Sequence, residues 1–268
     1  MSMKTSFAKK MEYGFTLVEM AIVLVILGFV LGALLLPLRA QREQATQLQT
    51  ENTLENAKQA LLGYAQQKGR LPCPATAASS GIESQTPAGG GICTQQIGFL
   101  PAATLGLQPA VNGFAIDAWN NRIRYAVTQA IVIDIAQTSV PDYTFTTANG
   151  MSNSGIISLK PSLRVCFSAS ASVLTCSLPV SAASPEKNYL INNAVAVIYS
   201  TGATGSLGAG SIDETENLNP SLVSLSNQID SVYVSHGITA APNEFDHLVT
   251  WISPYVLYNA MIQAGQLH

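Results

Sequence analysis

Charge is scarce in this chain. Asp, Glu, Lys and Arg make up 11% of its 268 residues, 47% are hydrophobic, and the formal net charge is −3. That charged share is less than half of ordinary soluble usage, so membrane attachment or uncharged polar surfaces must make up the deficit. Beyond residue 43 there is no dense Lys/Arg cluster, and a nucleic-acid partner is not expected. The three histidines, His236, His247 and His268, are dispersed, with no His-Glu-x-x-His and no Gly-x-Ser-x-Gly. The glycine-rich stretch 201–211 lacks the Gly-Lys-Ser/Thr ending of a phosphate-binding loop. Nothing here assembles an enzyme. His247 reads as a surface or boundary residue rather than a base.

Zinc and redox spacings are also missing. Cys73, Cys93, Cys166 and Cys176 contain no C-x-x-C and form two local pairs, all beyond a long apolar run. An even number on one side of a membrane fits two disulfides, Cys73–Cys93 and Cys166–Cys176, in an oxidising compartment. Reduced buried thiols are the alternative, and the pairing stays open at the level of sequence.

What the chain does have lies at its start. Residues 1–14 carry Lys4, Lys9 and Lys10 against Glu12, and residues 15–38 are apolar except for Thr16 and Glu19. As a helix, that length spans a bilayer core, and the preceding lysines favour a cytoplasmic amino terminus. No small-residue cleavage site follows the run, so the expected processing point precedes it.

Gly14-Phe15-Thr16-Leu17-Val18-Glu19, behind a short basic leader, resembles the cleavage and methylation motif of type IV prepilins and type II secretion pseudopilins. The resemblance implies cutting after Gly14 and N-methylation of Phe15 by a prepilin peptidase/methyltransferase. It also implies that Glu19 meets the terminal amine of a neighbouring subunit. A buried carboxylate and a buried ammonium are each costly alone, and pairing offsets much of that cost.

The implied fold class is α+β and type IV pilin-like, with a long N-terminal helix packed on an antiparallel β-sheet head and helices at the C-terminus. The expected organisation is a leader at 1–14, a membrane or filament-core helix at 15–38, an amphipathic continuation at 39–68 and a head at 69–268. Gly28, Gly32 and Pro37 should loosen the first helical half. In the second half, Leu54, Ala57, Leu61 and Tyr64 recur at helical spacing opposite Gln47, Glu51, Glu55 and Gln59. Gly69 should cap this helix, and Pro72 and Pro74 prevent its continuation.

Residues 75–98 read as an irregular loop. Asp117-Ala118-Trp119-Asn120-Asn121 resembles a turn of pseudopilin heads, with Asp117 capping it and Asn120 where glycine is usual. Strands are expected at 123–128, 131–135, 155–159, 163–168, 172–178, 194–200 and 231–235, with a hairpin over 164–177 that places Cys166 opposite Cys176. Asp213, Glu214 and Glu216 read as a solvated acidic loop; calcium bound there with Asp230, or at Asp117, is the minor alternative. Asn243 should cap one C-terminal helix bearing Phe245, Leu248, Val249 and Ile252. Ser253-Pro254 should start a second.

The reading is a non-enzymatic minor pilin or pseudopilin without a cofactor. Its expected partners are other pilin subunits, the prepilin peptidase and an inner-membrane assembly platform, and its head should lie in the periplasm before extraction into a filament. The alternative is a filament-displayed binding module, an adhesin or DNA-uptake pilin.

Overall fold

The computed structural model describes the chain apart from residues 1–13, 15, 109, 130, 134–138, 142, 170–175, 179–185, 188, 206–207, 209, 219–221 and 226–227. At 33–40, 131–133, 139–141, 177–178, 186–187, 222–225 and 228–231 it describes the backbone alone. The chain divides into two compact units, Met1–Thr46 and Gln47–His268.

Helix α1 (Leu17–Lys68) is assigned through Pro37. Its end follows from local chemistry. Gly69 adopts the left-handed φ of 66° that favours glycine, and its N–H returns to the Ala65 carbonyl at 2.9 Å. Leu71 then bonds to the Phe145 carbonyl instead of continuing the helix.

The second unit continues with β1 (Ile97–Phe99), the short helix α2 (Ala102–Leu105), β2 (Ala110–Val111), β3 (Phe114–Ala115) and β4 (Arg124–Val127). Next come β5 (Ile131–Ile133), β6 (Ser139–Pro141), α3 (Gly150–Ser154), a 3-10 turn at Ile156–Ser158 and β7 (Leu163–Cys166). Then follow β8 (Ser177–Leu178), β9 (Glu186–Lys187), β10 (Tyr189–Ala194), β11 (Ala196–Ser200) and α4 (Ile212–Leu218). The chain closes with β12 (Leu222–Leu225), β13 (Gln228–Val234), β14 (Leu248–Ile252) and α5 (Pro254–Gln263).

Two four-stranded sheets organise these pieces, in the orders β1-β4-β11-β14 and β10-β7-β13-β12. The first is antiparallel throughout. In the second, β13 runs parallel to β7, a pairing that the expectation of antiparallel neighbours did not include.

The core has two main parts because side chains alternate across a strand. Tyr125, Val127, Ala196, Ile198 and Ile252 share a cluster with Leu54, Ala57 and Leu61 of α1 and Leu257 and Met261 of α5. From the opposite face, Ala126, Val197 and Tyr199 pack with Leu163, Val165 and Tyr233 of the second sheet. The first sheet is thus covered on both sides, and every residue of β11 is buried. This α+β order, a long helix followed by sheet and a terminal helix, is the one expected.

Several local expectations are corrected. Residues 155–159 are not a strand: Gly155 has φ 70°, and Ile156 and Ile157 lie exposed in a 3-10 turn. Of 131–135, residues 134–135 lie outside the described ones, as do residues 172–175 of the 172–178 strand. Residues 170–175 of the hairpin expected over 164–177 lie outside the described ones, and its described ends are not paired with each other: β7 is flanked by β10 and β13, and β8 pairs with β9. Cys166 and Cys176 are nevertheless disulfide-bonded, as are Cys73 and Cys93.

The helix expected from Asn243 is instead strand β14, matched residue for residue with β11 from Ala196↔Ile252 to Ser200↔Leu248. Short apolar runs carry no decisive period, and Val249, Thr250, Trp251 and Ile252 suit a covered sheet. The acidic stretch expected as a solvated loop is helix α4, with Glu214 and Glu216 buried. The second helix does start at Ser253, whose Oγ accepts the Val256 N–H at 3.4 Å ahead of Pro254.

Candidate processing and assembly motif

Gly14 is exposed, and Phe15 lies outside the described residues. Thr16 is the residue before α1, and Glu19 reaches back to it. The Thr16 N–H donates to Glu19 Oε2 at 2.8 Å and Thr16 Oγ1 donates to the same oxygen at 2.9 Å. In return the Glu19 N–H donates to Thr16 Oγ1 at 3.3 Å. This reciprocal capping box satisfies otherwise orphaned helix N–H groups. Thr-x-x-Glu is a legible signature, and the sequence reading missed its local role because the acid's apolar setting dominated.

From residue 17 to 32 every side chain is exposed, with Leu17 at 87% and Phe29 at 77%. An apolar surface of this extent marks an interaction or membrane site. Among the described residues, no helix is long and apolar enough to cross a membrane. The expected span at 15–38 includes position 15 and side chains 33–38 outside the described set.

In the head, the turn at Asp117 is built as expected. Asp117 Oδ1 accepts the N–H groups of Trp119 and Asn121 at 2.9 and 2.7 Å, and Asn120 takes the left-handed φ of 70°. The turn reaches α1, because the Ala118 N–H donates to Thr50 Oγ1 at 3.1 Å. Asp117 is therefore a structural acceptor held by N–H donors.

Beside Cys73–Cys93 sits a pair that the sequence did not reveal. Arg70 donates to both oxygens of Glu83 at 2.9 and 2.8 Å, and Tyr64 Oη and the Cys73 N–H donate to the same carboxylate. Burial would raise Glu83, but Arg70 and the Cys73 N–H outweigh it and hold the carboxyl below its ordinary range. Burial and the Glu83 charge push Tyr64 up to about 12. The loop 75–98 is irregular but clamped.

Of the acids whose sharing of calcium was the minor alternative, only those outside β13 have described side chains. Asp213 bonds to Ser168, the Ala169 N–H and His236, while the Asp230 side chain lies outside the described residues. The cluster that does form is Glu214, Asp246 and His247, with donor atoms within 4.8 Å of one another. Contrary to the sequence reading, His247 is buried and not helical. On α5, Pro254, Leu257 and Met261 are buried while Tyr255, Val256 and Ile262 stay exposed.

No curated protein and no solved structure matches the chain. The family comparison bears on the N-terminus, where the motif implies processing by a prepilin peptidase, assembly with other pilin subunits and anchoring in a membrane; such proteins are generally non-enzymatic. Residues 9–35 match the prokaryotic N-terminal methylation motif, and the chain thereby carries the hallmark of type IV prepilin-like proteins.

Proposed function

We propose that this chain is a minor pilin or pseudopilin, a non-enzymatic subunit that enters a filament through its N-terminal helix. The observation that carries the reading is the methylation motif at 9–35 leading into a helix whose apolar side chains are exposed from 17 to 32. Residues 1–14 are the leader, 15–38 the membrane and filament-core helix, 39–68 its continuation and 69–268 the head. Cleavage follows Gly14, and the freed amine of Phe15 is methylated.

Glu19 then has two tasks that its carboxylate serves together. It caps Thr16 within its own helix, and it neutralises the amine of an adjacent subunit inside an apolar bundle, which sets axial register. Before extraction the subunit sits in the bacterial inner membrane with its head in the periplasm, in contact with the assembly platform. The size of the head supports a minor rather than a major subunit, and Glu19 argues against the extreme tip, where no subunit lies above. No cofactor enters this function.

Mass spectrometry of the protein from its native host tests the proposal. A mature chain beginning with methylated Phe15, found in a sheared filament or envelope fraction with other pilins, is the expected result. An uncut chain that never enters a filament overturns it.

A further inference from the structure

Glu214, Asp246 and His247 come from two separate stretches, α4 and the lead-in to β14, and meet beside Thr204 and Gly210. Glu214 is fully buried; its Oε2 accepts the Gly210 N–H at 2.6 Å and its Oε1 accepts the Asp246 N–H at 3.1 Å. Asp246 is 9% exposed, and its Oδ2 accepts both the N–H and the hydroxyl of Thr204 at 2.8 and 3.0 Å. Its Oδ1 is buried with no hydrogen-bond partner among the described residues. Two carboxylates this close and this buried repel each other unless a proton or a cation lies between them.

The imidazole decides between the two. The Val234 N–H donates to Asn217 Oδ1 at 2.8 Å and Asn217 Nδ2 donates to the Val234 carbonyl at 2.9 Å, so the backbone of β13 fixes which way the amide points. The Asn217 NH₂ therefore faces His247 Nδ1 at 3.2 Å, which makes Nδ1 an acceptor and places the neutral ring's proton on Nε2. Neither ring nitrogen is left with a free lone pair for a metal, and three of the four carboxylate oxygens already accept N–H donors, which leaves Asp246 Oδ1 alone without one. A cation finds a poor site here; a proton does not.

We propose that the buried Glu214 carboxyl is kept protonated by the carboxylate of Asp246 beside it, a latch that fastens α4 to the lead-in of β14 and to Thr204 and Gly210, and that loosens as pH rises. Burial is the main influence raising Glu214, with Asp246 adding to it and the Gly210 and Asp246 N–H groups opposing. The surrounding charges are those of Asp213 and Glu216 on α4, Glu244 beside Gly210, the His236–Asp213 pair, and Arg124 of β4 acting on His247. A carboxyl held protonated in the fold contributes stability that is present in acid and lost as pH climbs through its raised value. The inference does not depend on the N-terminal motif.

Infrared difference spectroscopy on the full chain in detergent micelles tests it directly. At neutral pH the wild type should show a protonated-carboxyl carbonyl band that disappears on alkalinisation and is absent from Glu214→Gln. Relative to wild type, the glutamine variant should gain stability from pH 5 to pH 8, since wild type loses its proton over that interval and the amide cannot ionise. If Glu214→Gln does not fold, the wild-type pH-difference spectrum, assigned with Asp246→Asn, carries the same test. No such band at neutral pH overturns the proposal. So does a Zn²⁺, Mn²⁺ or Ca²⁺-dependent rise in Tm after chelation that Asp246→Asn abolishes.

Discussion

Ser200 Oγ donates a 2.6 Å hydrogen bond to Asp117 Oδ2, joining the end of β11 to a turn 83 residues earlier. The same hydroxyl accepts the Gly202 N–H at 3.0 Å, and Asn121 Nδ2 donates to the Gly202 carbonyl at 2.6 Å. With Ala118 bonded to Thr50 of α1, one carboxylate organises a turn, a strand end and a helix.

Asp117→Ala leaves two backbone N–H groups and a buried hydroxyl without their acceptor. Hydrogen bonds to a charged group contribute roughly 1.5–3 kcal/mol each, so a total loss of about 3 kcal/mol or more is expected in chemical denaturation. Asp117→Asn keeps one acceptor oxygen for Trp119 and Asn121 and should cost distinctly less. Equal losses for the two variants would show that the second oxygen and the negative charge, rather than the oxygen facing Trp119 and Asn121, carry the stabilisation.

Arg70→Met removes the cation from a buried pair and leaves Glu83 charged and unmatched. A loss of about 3 kcal/mol is expected at pH 7. Because the folded-state value of Glu83 is lowered, the pair's stabilisation is complete above the ordinary carboxylate range and fades as pH falls through the folded value. Urea curves of wild type and variant should therefore converge in acid; a gap independent of pH argues for lost packing instead.

Cys73 and Cys93 are separated by 20 positions and close the loop that also holds Glu83. The double Ser variant should lose about 3 kcal/mol in the chain-entropy model. Limited proteolysis of the variant should cut within 75–98 while the helix and sheet remain protected. Uniform proteolysis would show that the bridge supports the whole head.

Thr16→Ala and Glu19→Ala separate the two tasks of the N-terminal carboxylate. Loss of the Thr16 cap should weaken the start of the helix by about 1 kcal/mol, with filament incorporation retained. Glu19→Ala should still be processed but fail to incorporate, as judged by immunoblots of sheared filaments. If both variants fail alike, capping alone explains the acid.

Much of the architecture is legible where the physics is local. Leu54, Ala57 and Leu61 announce the buried face of α1 by spacing, and all three are buried. Asn120, Gly69 and Ser253 mark a left-handed turn, a helix end and a helix start because each acts on backbone within a few residues. The misread elements are those whose periodicity is short and whose partners are distant. Leu248–Ile252 becomes a strand because β11 offers it a matching edge, something no window around residue 250 contains. Arg70 and Glu83 lie 13 residues apart, and nothing in the intervening sequence requires their side chains to meet.

The N-terminal motif, the end of helix α1 at Gly69 and a mixed helix-and-strand head follow from residues read along the chain, since leader charge, turn residues and capping residues act on their near neighbours. Long-range packing added that one sheet is covered on both faces, that an acidic stretch forms a helix burying Glu214 and Glu216, and that Glu214 meets Asp246. Those outcomes depend on which surfaces come together, and desolvation takes its value from the neighbours brought by the fold rather than from the neighbours in sequence.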